Sequence, residues 1–217
     1  RSYGAMKRVR LGCSGLMVSP LAIGTLTMSP LQKNLPPERG AEILLYAAEK
    51  GVNLFDTAQY YDTYEPLRLV LKQRPDLLVS TKSYAYDRAG AEAAFEEARK
   101  ALDMDVIPIF LMHEQEDRLT LKGHREAFDF YLEQKAKGKI LAVGFSTHRV
   151  TAVDYAPRYP GVDVVFPLIN VTGVGIPDGT RDEMAEAIHR AHLGNIGIYA
   201  MKPLGGGRLI ADPKQAF

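Results

Sequence analysis

The chain is poor in the features that would make several function classes easy to recognise, and each absence narrows the reading. It holds one cysteine, Cys13, among 217 residues. One thiol excludes an internal disulfide and any multi-cysteine metal or iron–sulfur site within these residues, and a reducing, cytoplasmic compartment is the expectation. No apolar stretch is long enough to span a bilayer, and the N-terminal RSYGAMKRVRLG has no apolar signal-peptide core. Met6 reads as the native start, with the five residues before it left by cloning. Charge of one sign is also lacking: 27 basic residues face 26 acidic ones, for a formal net charge of +1. That balance gives no electrostatic footprint for nucleic acid or a membrane surface. No pair among the histidines has metal-ligand spacing with Asp, Glu or Cys, so no metal is expected. The dinucleotide fingerprint GxGxxG is missing after the first strand, which argues against a doubly wound sheet.

What is present is a regular alternation of strand and helix. A short hairpin, KRVRLG to LMVSPL, precedes a first strand at 21–25. Pro37 opens a helix, where its missing N–H costs nothing, and Gly51 ends it. Further strands are predicted at 53–57, 77–82, 106–112, 140–145, 162–169 and 196–201, with amphipathic helical patterns between them. Polar residues close the strands: Asp56, Lys82, His113, Ser146, Asn170 and Lys202, at intervals of 26, 31, 33, 24 and 32. These are near the ~30 residues of a βα unit. Parallel strands joined by crossovers put all their C-terminal ends on one side, so these residues should converge. The architecture expected is α/β, a (β/α)₈ TIM-type barrel forming one domain over 1–217. Seven units are present and the eighth strand is missing, so the native chain is expected to continue past Phe217.

Four side chains carry a chemistry. Asp56 closes one strand and Tyr61 follows in the loop; Lys82 and His113 close the next two. Singly, each has an ordinary structural role: a turn cap, a packed aromatic, a surface lysine, a hydrogen-bonded histidine. Together they suit proton transfer coupled to hydride transfer. A carbonyl that accepts hydride needs a proton donor, and tyrosine with a pKa near ~10 is a poor one at neutral pH. A lysine cation beside Tyr61 should lower that pKa, Asp56 should hold the buried cation, and His113 should orient the carbonyl oxygen. His148 reads as a surface-loop residue, with an approach to the substrate or cofactor as the alternative, and His124, His189 and His192 read as solvated.

Read in order, Asp56-Thr57-Ala58 with Tyr61, Val79–Lys82, Ile109–His113, Gly138-Lys139-Ile140 through Ser146, Asn170, and Pro203-Leu204-Gly205 resemble the motifs of the aldo-keto reductase family. The resemblance covers nearly the whole chain. It implies an NADP- or NAD-dependent carbonyl reductase with Tyr61 as acid. The cofactor would lie across the barrel mouth against Gly24, Thr25, Asp56, Ser146, Thr147, Asn170, Met201, Lys202, Pro203, Leu204 and Gly205. Departures are equally specific. Asp62 stands where the family has glycine, Thr147 where it has asparagine, Phe166 where it has glutamine, and Met201 where a tyrosine stacks on nicotinamide. AMKPLGGG resembles the branch whose members carry iron–sulfur clusters in a C-terminal extension. Those clusters would belong to a missing tail. The competing reading is a reductase-like, redox-sensing NAD(P)H-binding subunit with little turnover. A small carbonyl compound is the expected partner. Substrate identity and oligomeric state are not legible.

Overall fold

Strand and helix alternate through residues 6–201, the part of the chain described by a computed structural model. A two-stranded antiparallel hairpin comes first, β1 (Val9–Arg10) with β2 (Met17–Val18). Seven parallel strands follow, each paired with the next: β3 (Ala22–Gly24), β4 (Leu54–Asp56), β5 (Leu78–Ser83), β6 (Ile107–Met112), β7 (Ile140–Thr147), β8 (Val164–Pro167) and β9 (Gly197–Ile198). Between them run helices α1 (Pro37–Glu49), α2 (Tyr64–Gln73), α3 (Arg88–Leu102), α4 (Arg118–Gly123), α5 (Arg125–Ala136), α6 (Val150–Tyr155) and α7 (Arg181–Leu193). The sheet curls: Ala22 and Gly24 at its first strand border the same cavity as Tyr199 and Met201 just past its last. This is the (β/α)₈ barrel type, with seven parallel strands among the described residues.

Local chemistry sets the helix starts. Pro37 is the first residue of α1, where its fixed φ suits the helix. Asp87 and Asp117 cap α3 and α4 by accepting from the backbone N–H of Gly90 and Thr120 at 2.8 and 2.9 Å. Thr180 and Glu183 form a reciprocal capping box at α7, so two otherwise unpaired N–H groups find partners.

Alternation along the strands divides the core in two. Phe55, Val79, Phe110, Val143, Phe145 and Val165 point outward into the layer beneath the helices. Leu54, Ile109, Leu111, Ala142, Val164 and Phe166 point into the barrel, where Leu11 and Val18 of the hairpin plug the floor. Because both faces are covered, a strand such as β6 is buried along its whole length, as parallel sheets require. Gly144 marks the tightest approach: a Cβ there would lie 1.6 Å from the Val164 carbonyl oxygen of β8.

The last strand is shorter than the sequence pattern suggests. Regular pairing covers Gly197–Ile198, then resumes as a single bridge between Leu168 and Met201. The reason is Pro167, which has no N–H to donate across the ladder at Tyr199. Its carbonyl still accepts from Met201 N–H at 2.9 Å. Among the described residues, no helix is long and apolar enough to cross a membrane.

Candidate active site

Register places the ion pair. Asp56 is opposite Ser80 in the β4–β5 ladder, and Lys82 lies two residues further along the same inward face. Lys82 Nζ donates to Asp56 Oδ1 and Oδ2 at 2.9 and 2.7 Å and to the Thr57 carbonyl at 2.8 Å. The side chains are 1% and 7% exposed. Burial pushes the Asp56 carboxyl up from the ordinary carboxylate range, and the Lys82 charge opposes the shift. Burial likewise pushes the Lys82 ammonium down, opposed by Asp56.

Tyr61 ends a single 3₁₀ turn, Gln59–Tyr61, and Asp62 after it is left-handed with φ 54°. Glycine is the natural residue there, and aspartate is one of the few that tolerates it. Thr63 Oγ1 bridges the hydroxyls of Thr25 and Thr57 at 2.6 and 2.8 Å, pinning the loop. The Tyr61 ring lies 5.0 Å from Lys82 Nζ and edge-on to the His113 ring, 5.8 Å between centroids. His113 is buried and stacks face to face on Tyr84 at 4.1 Å. Asp56, Tyr61, Lys82 and His113 therefore do meet.

The sign of the tyrosine shift is opposite to the sequence expectation. Burial first, then the charges of Asp56, Tyr84 and Glu114, raise the Tyr61 pKa above its ordinary value. The Asp56 carboxylate that holds Lys82 is itself a charge that disfavours the phenolate. The Lys82 ammonium lies 5.0 Å from the centre of the Tyr61 ring, and its hydrogen bonds go to Asp56 and the Thr57 carbonyl.

Two cavities adjoin at Tyr61 and Met201. The larger, about 310 Å³, is bordered by Gly24, Asp56, Tyr61, Phe166, Tyr199 and Met201, among others. A Cβ added at Gly24 would meet nothing within 4 Å, so the wall is open there. Phe166 and Tyr199 stack at 4.3 Å and 16° to make an aromatic side wall. Lys82 Nζ sits 5.0 Å from the Phe166 ring, a cation–π contact. The Tyr199 hydroxyl bonds to Ser80 Oγ, and burial raises its pKa well above the usual range, with the Asp56 charge adding to the rise. A largely apolar slot with Asp56 and Tyr61 at one edge fits a flat heteroaromatic ring with polar substituents.

The other cofactor candidates are distributed unevenly. Gly24, Asp56 and Met201 border the large cavity. Thr25 is buried against Thr63. Ser146, Thr147 and Asn170 are buried and border neither cavity; their side chains bond to the backbone N–H groups of Glu114, Arg149 and Val174. Lys202, Pro203, Leu204 and Gly205 lie outside the described residues. No cluster of three or more metal-capable side chains occurs among the described residues.

The smaller cavity, about 200 Å³, is bordered by Tyr60, Tyr61, Tyr84, His113, Glu114 and His148, with Lys82 behind them. His148 thus borders the same cavity as Tyr61 and His113, the alternative to a surface loop. His124 is also not simply solvated: its Nδ1 is 3.0 Å from Gln115 Oε1, and partial burial lowers its pKa. His189 and His192 are exposed. Tyr84, Glu114 and Tyr199 escaped the sequence reading. Tyr199 had a usable signal, the period-2 spacing Gly197, Tyr199, Met201 that carries it inward.

Comparison with known proteins gives a family and a fold. Residues 20–215 match the model of the aldo/keto reductase family. A soybean (Glycine max) protein described as "Probable aldo-keto reductase 1" is 26% identical over 92% of this chain, which spans 60% of that protein's length. A solved Pseudomonas aeruginosa structure assigned to the aldo-keto reductases is 25% identical, with a TM-score of 0.79 over 97% of this chain and 84% of that one. A Bombyx mori aldo-keto reductase solved in complex with NADP shares the fold at 18% identity, with a TM-score of 0.72 over 92% of this chain and 67% of that one.

Proposed function

The chain belongs to the aldo/keto reductase family, and on that premise we propose that it reduces an aldehyde or ketone with a nicotinamide cofactor, Tyr61 delivering the proton. The observation that carries this reading is that the buried Asp56–Lys82 pair, Tyr61 and His113 gather where two cavities adjoin. Bound in the larger cavity, NADPH or NADH supplies the hydride. Gly24, Asp56, Phe166, Tyr199 and Met201 would hold its ring. Thr25, Ser146, Thr147, Asn170 and Lys202 to Gly205 are the residues proposed for the remainder of the cofactor.

The substrate carbonyl takes the smaller cavity, its oxygen accepting hydrogen bonds from the Tyr61 hydroxyl and the His113 imidazole. As charge develops on that oxygen, the Tyr61 proton moves to it, giving the alcohol. An alkoxide is a stronger base than a phenolate, so a phenol with a raised pKa is still a competent donor. The raised pKa also keeps Tyr61 protonated between turnovers, and solvent restores the proton it gives up. Lys82 and Asp56 then serve as a buried, hydrogen-bonded ion pair beside Tyr61. Steady-state reduction of simple aldehydes by the full-length protein and by Tyr61→Phe, with NADPH and NADH in parallel, tests the reading.

A further inference from the structure

Resting on carbonyl reduction at this site, the smaller cavity also carries information about which carbonyl compounds it takes. Its outer wall is aromatic. Tyr60 and Tyr84 meet edge to face at 6.1 Å and 88°, and they are 64% and 47% exposed. Beside them is a carboxylate. Glu114 follows His113 directly, and its backbone turns back with φ 51°. That turn is anchored: Ser146 Oγ accepts from Glu114 N–H at 2.9 Å, and the Ser146 carbonyl accepts from Gln115 N–H at 2.8 Å. The Glu114 side chain is held at the rim, 44% exposed, and its charge helps raise the Tyr84 and Tyr61 pKa values.

The other charges nearby do not cancel it. Lys82 is spent on Asp56. His148 Nδ1 stands 3.9 Å from Glu114 Oε1 and bears charge only when protonated. Past Glu114 and His148 the cleft opens into a hollow of about 280 Å³ that adds Glu116 and Arg149, one charge of each sign. Among the described residues, the excess charge along this path is the negative one on Glu114. Part-exposed tyrosine rings beside a carboxylate are chemistry that binds an ammonium group.

We propose that the cleft selects carbonyl compounds bearing a cationic group, a protonated or quaternary ammonium, on the side away from the carbonyl, and that Glu114 is the residue that sets this preference. The test uses two benzaldehydes of matched size whose para charge is insulated from the ring by a methylene, one trimethylammonium and one carboxylate. In the full-length protein the cation should be the better substrate by kcat/KM. Glu114→Gln, which keeps the side-chain volume and hydrogen bonding, should shrink the cation-to-anion ratio about tenfold. High salt should erode the same ratio in the unmodified protein and leave the variant's ratio nearly unchanged. A ratio that neither the substitution nor salt alters overturns the selectivity while carbonyl reduction stands. Failure to reduce either aldehyde, or an uncharged one of the same size, overturns both.

Discussion

Lys82 reaches across from β5 to grip both carboxylate oxygens of Asp56 on β4, with neither side chain more than 7% exposed. Removing one member leaves the other charged and without its partner in the barrel interior. Lys82→Met should therefore destabilise the fold by about 3–5 kcal/mol. The double variant Asp56→Leu with Lys82→Met should recover much of that loss. Urea unfolding of the two variants checks this, and equal destabilisation by both would show that the pair is not the relevant interaction.

Tyr61 is held above its ordinary pKa by burial and by the charges of Asp56, Tyr84 and Glu114. The acid form then persists throughout the neutral range and is lost only when pH rises past the raised value. Reduction should stay level from about pH 6 to about pH 9, because an unperturbed tyrosine already titrates near 10. A pH–rate profile of the chemical step falling with an apparent pKa near neutrality would mean that Lys82 acidifies the phenol after all.

Tyr199 ties the last strand to the site through Ser80. Tyr199→Phe keeps the stack on Phe166 and removes the hydroxyl. The stability cost should be about 1–3 kcal/mol, since the Ser80 hydroxyl loses a buried partner. Tyr199→Leu should cost more by also removing the stack, and it should weaken cofactor binding in a fluorescence titration more than Tyr199→Phe does.

Gly144 has no room for a methyl group, with the Val164 carbonyl oxygen 1.6 Å from where a Cβ would sit. Gly144→Ala should cost about 3 kcal/mol or more, because backbone on the neighbouring strand has to move. A melting temperature equal to the unsubstituted protein would contradict the β7–β8 register.

Much of this site was legible before any coordinates. Asp56, Lys82 and His113 each lie at or next to the end of a strand, and parallel connections oblige such ends to share a face. Tyr61 follows from its fixed offset after Asp56. What escaped depended on approach in space. Tyr199 meets Ser80 across 119 residues, and Glu114 reaches the rim because its backbone adopts a left-handed φ that glutamate rarely takes. The sign of the Tyr61 shift escaped for a related reason. Burial and the approach of the Asp56 and Glu114 carboxylates depend on distances, and pairing a tyrosine with a lysine on paper leaves both out. The expected span of the last strand failed at one residue, Pro167, whose missing N–H matters only once its neighbour is known.

The central claim is that hydride goes from the nicotinamide to a carbonyl while Tyr61 supplies the proton, and isotope transfer tests it most directly. The full-length protein is incubated with an aldehyde and, in separate reactions, NADPH and NADH carrying deuterium on either face of C4, and the alcohol is analysed by mass spectrometry. The account predicts alcohol labelled at the former carbonyl carbon with at least one of these cofactors, and a yield from Tyr61→Phe lower by about 10²–10⁴-fold despite retained cofactor binding. Tight cofactor binding with no labelled alcohol from the unmodified protein, or equal yields from the two proteins, would contradict it.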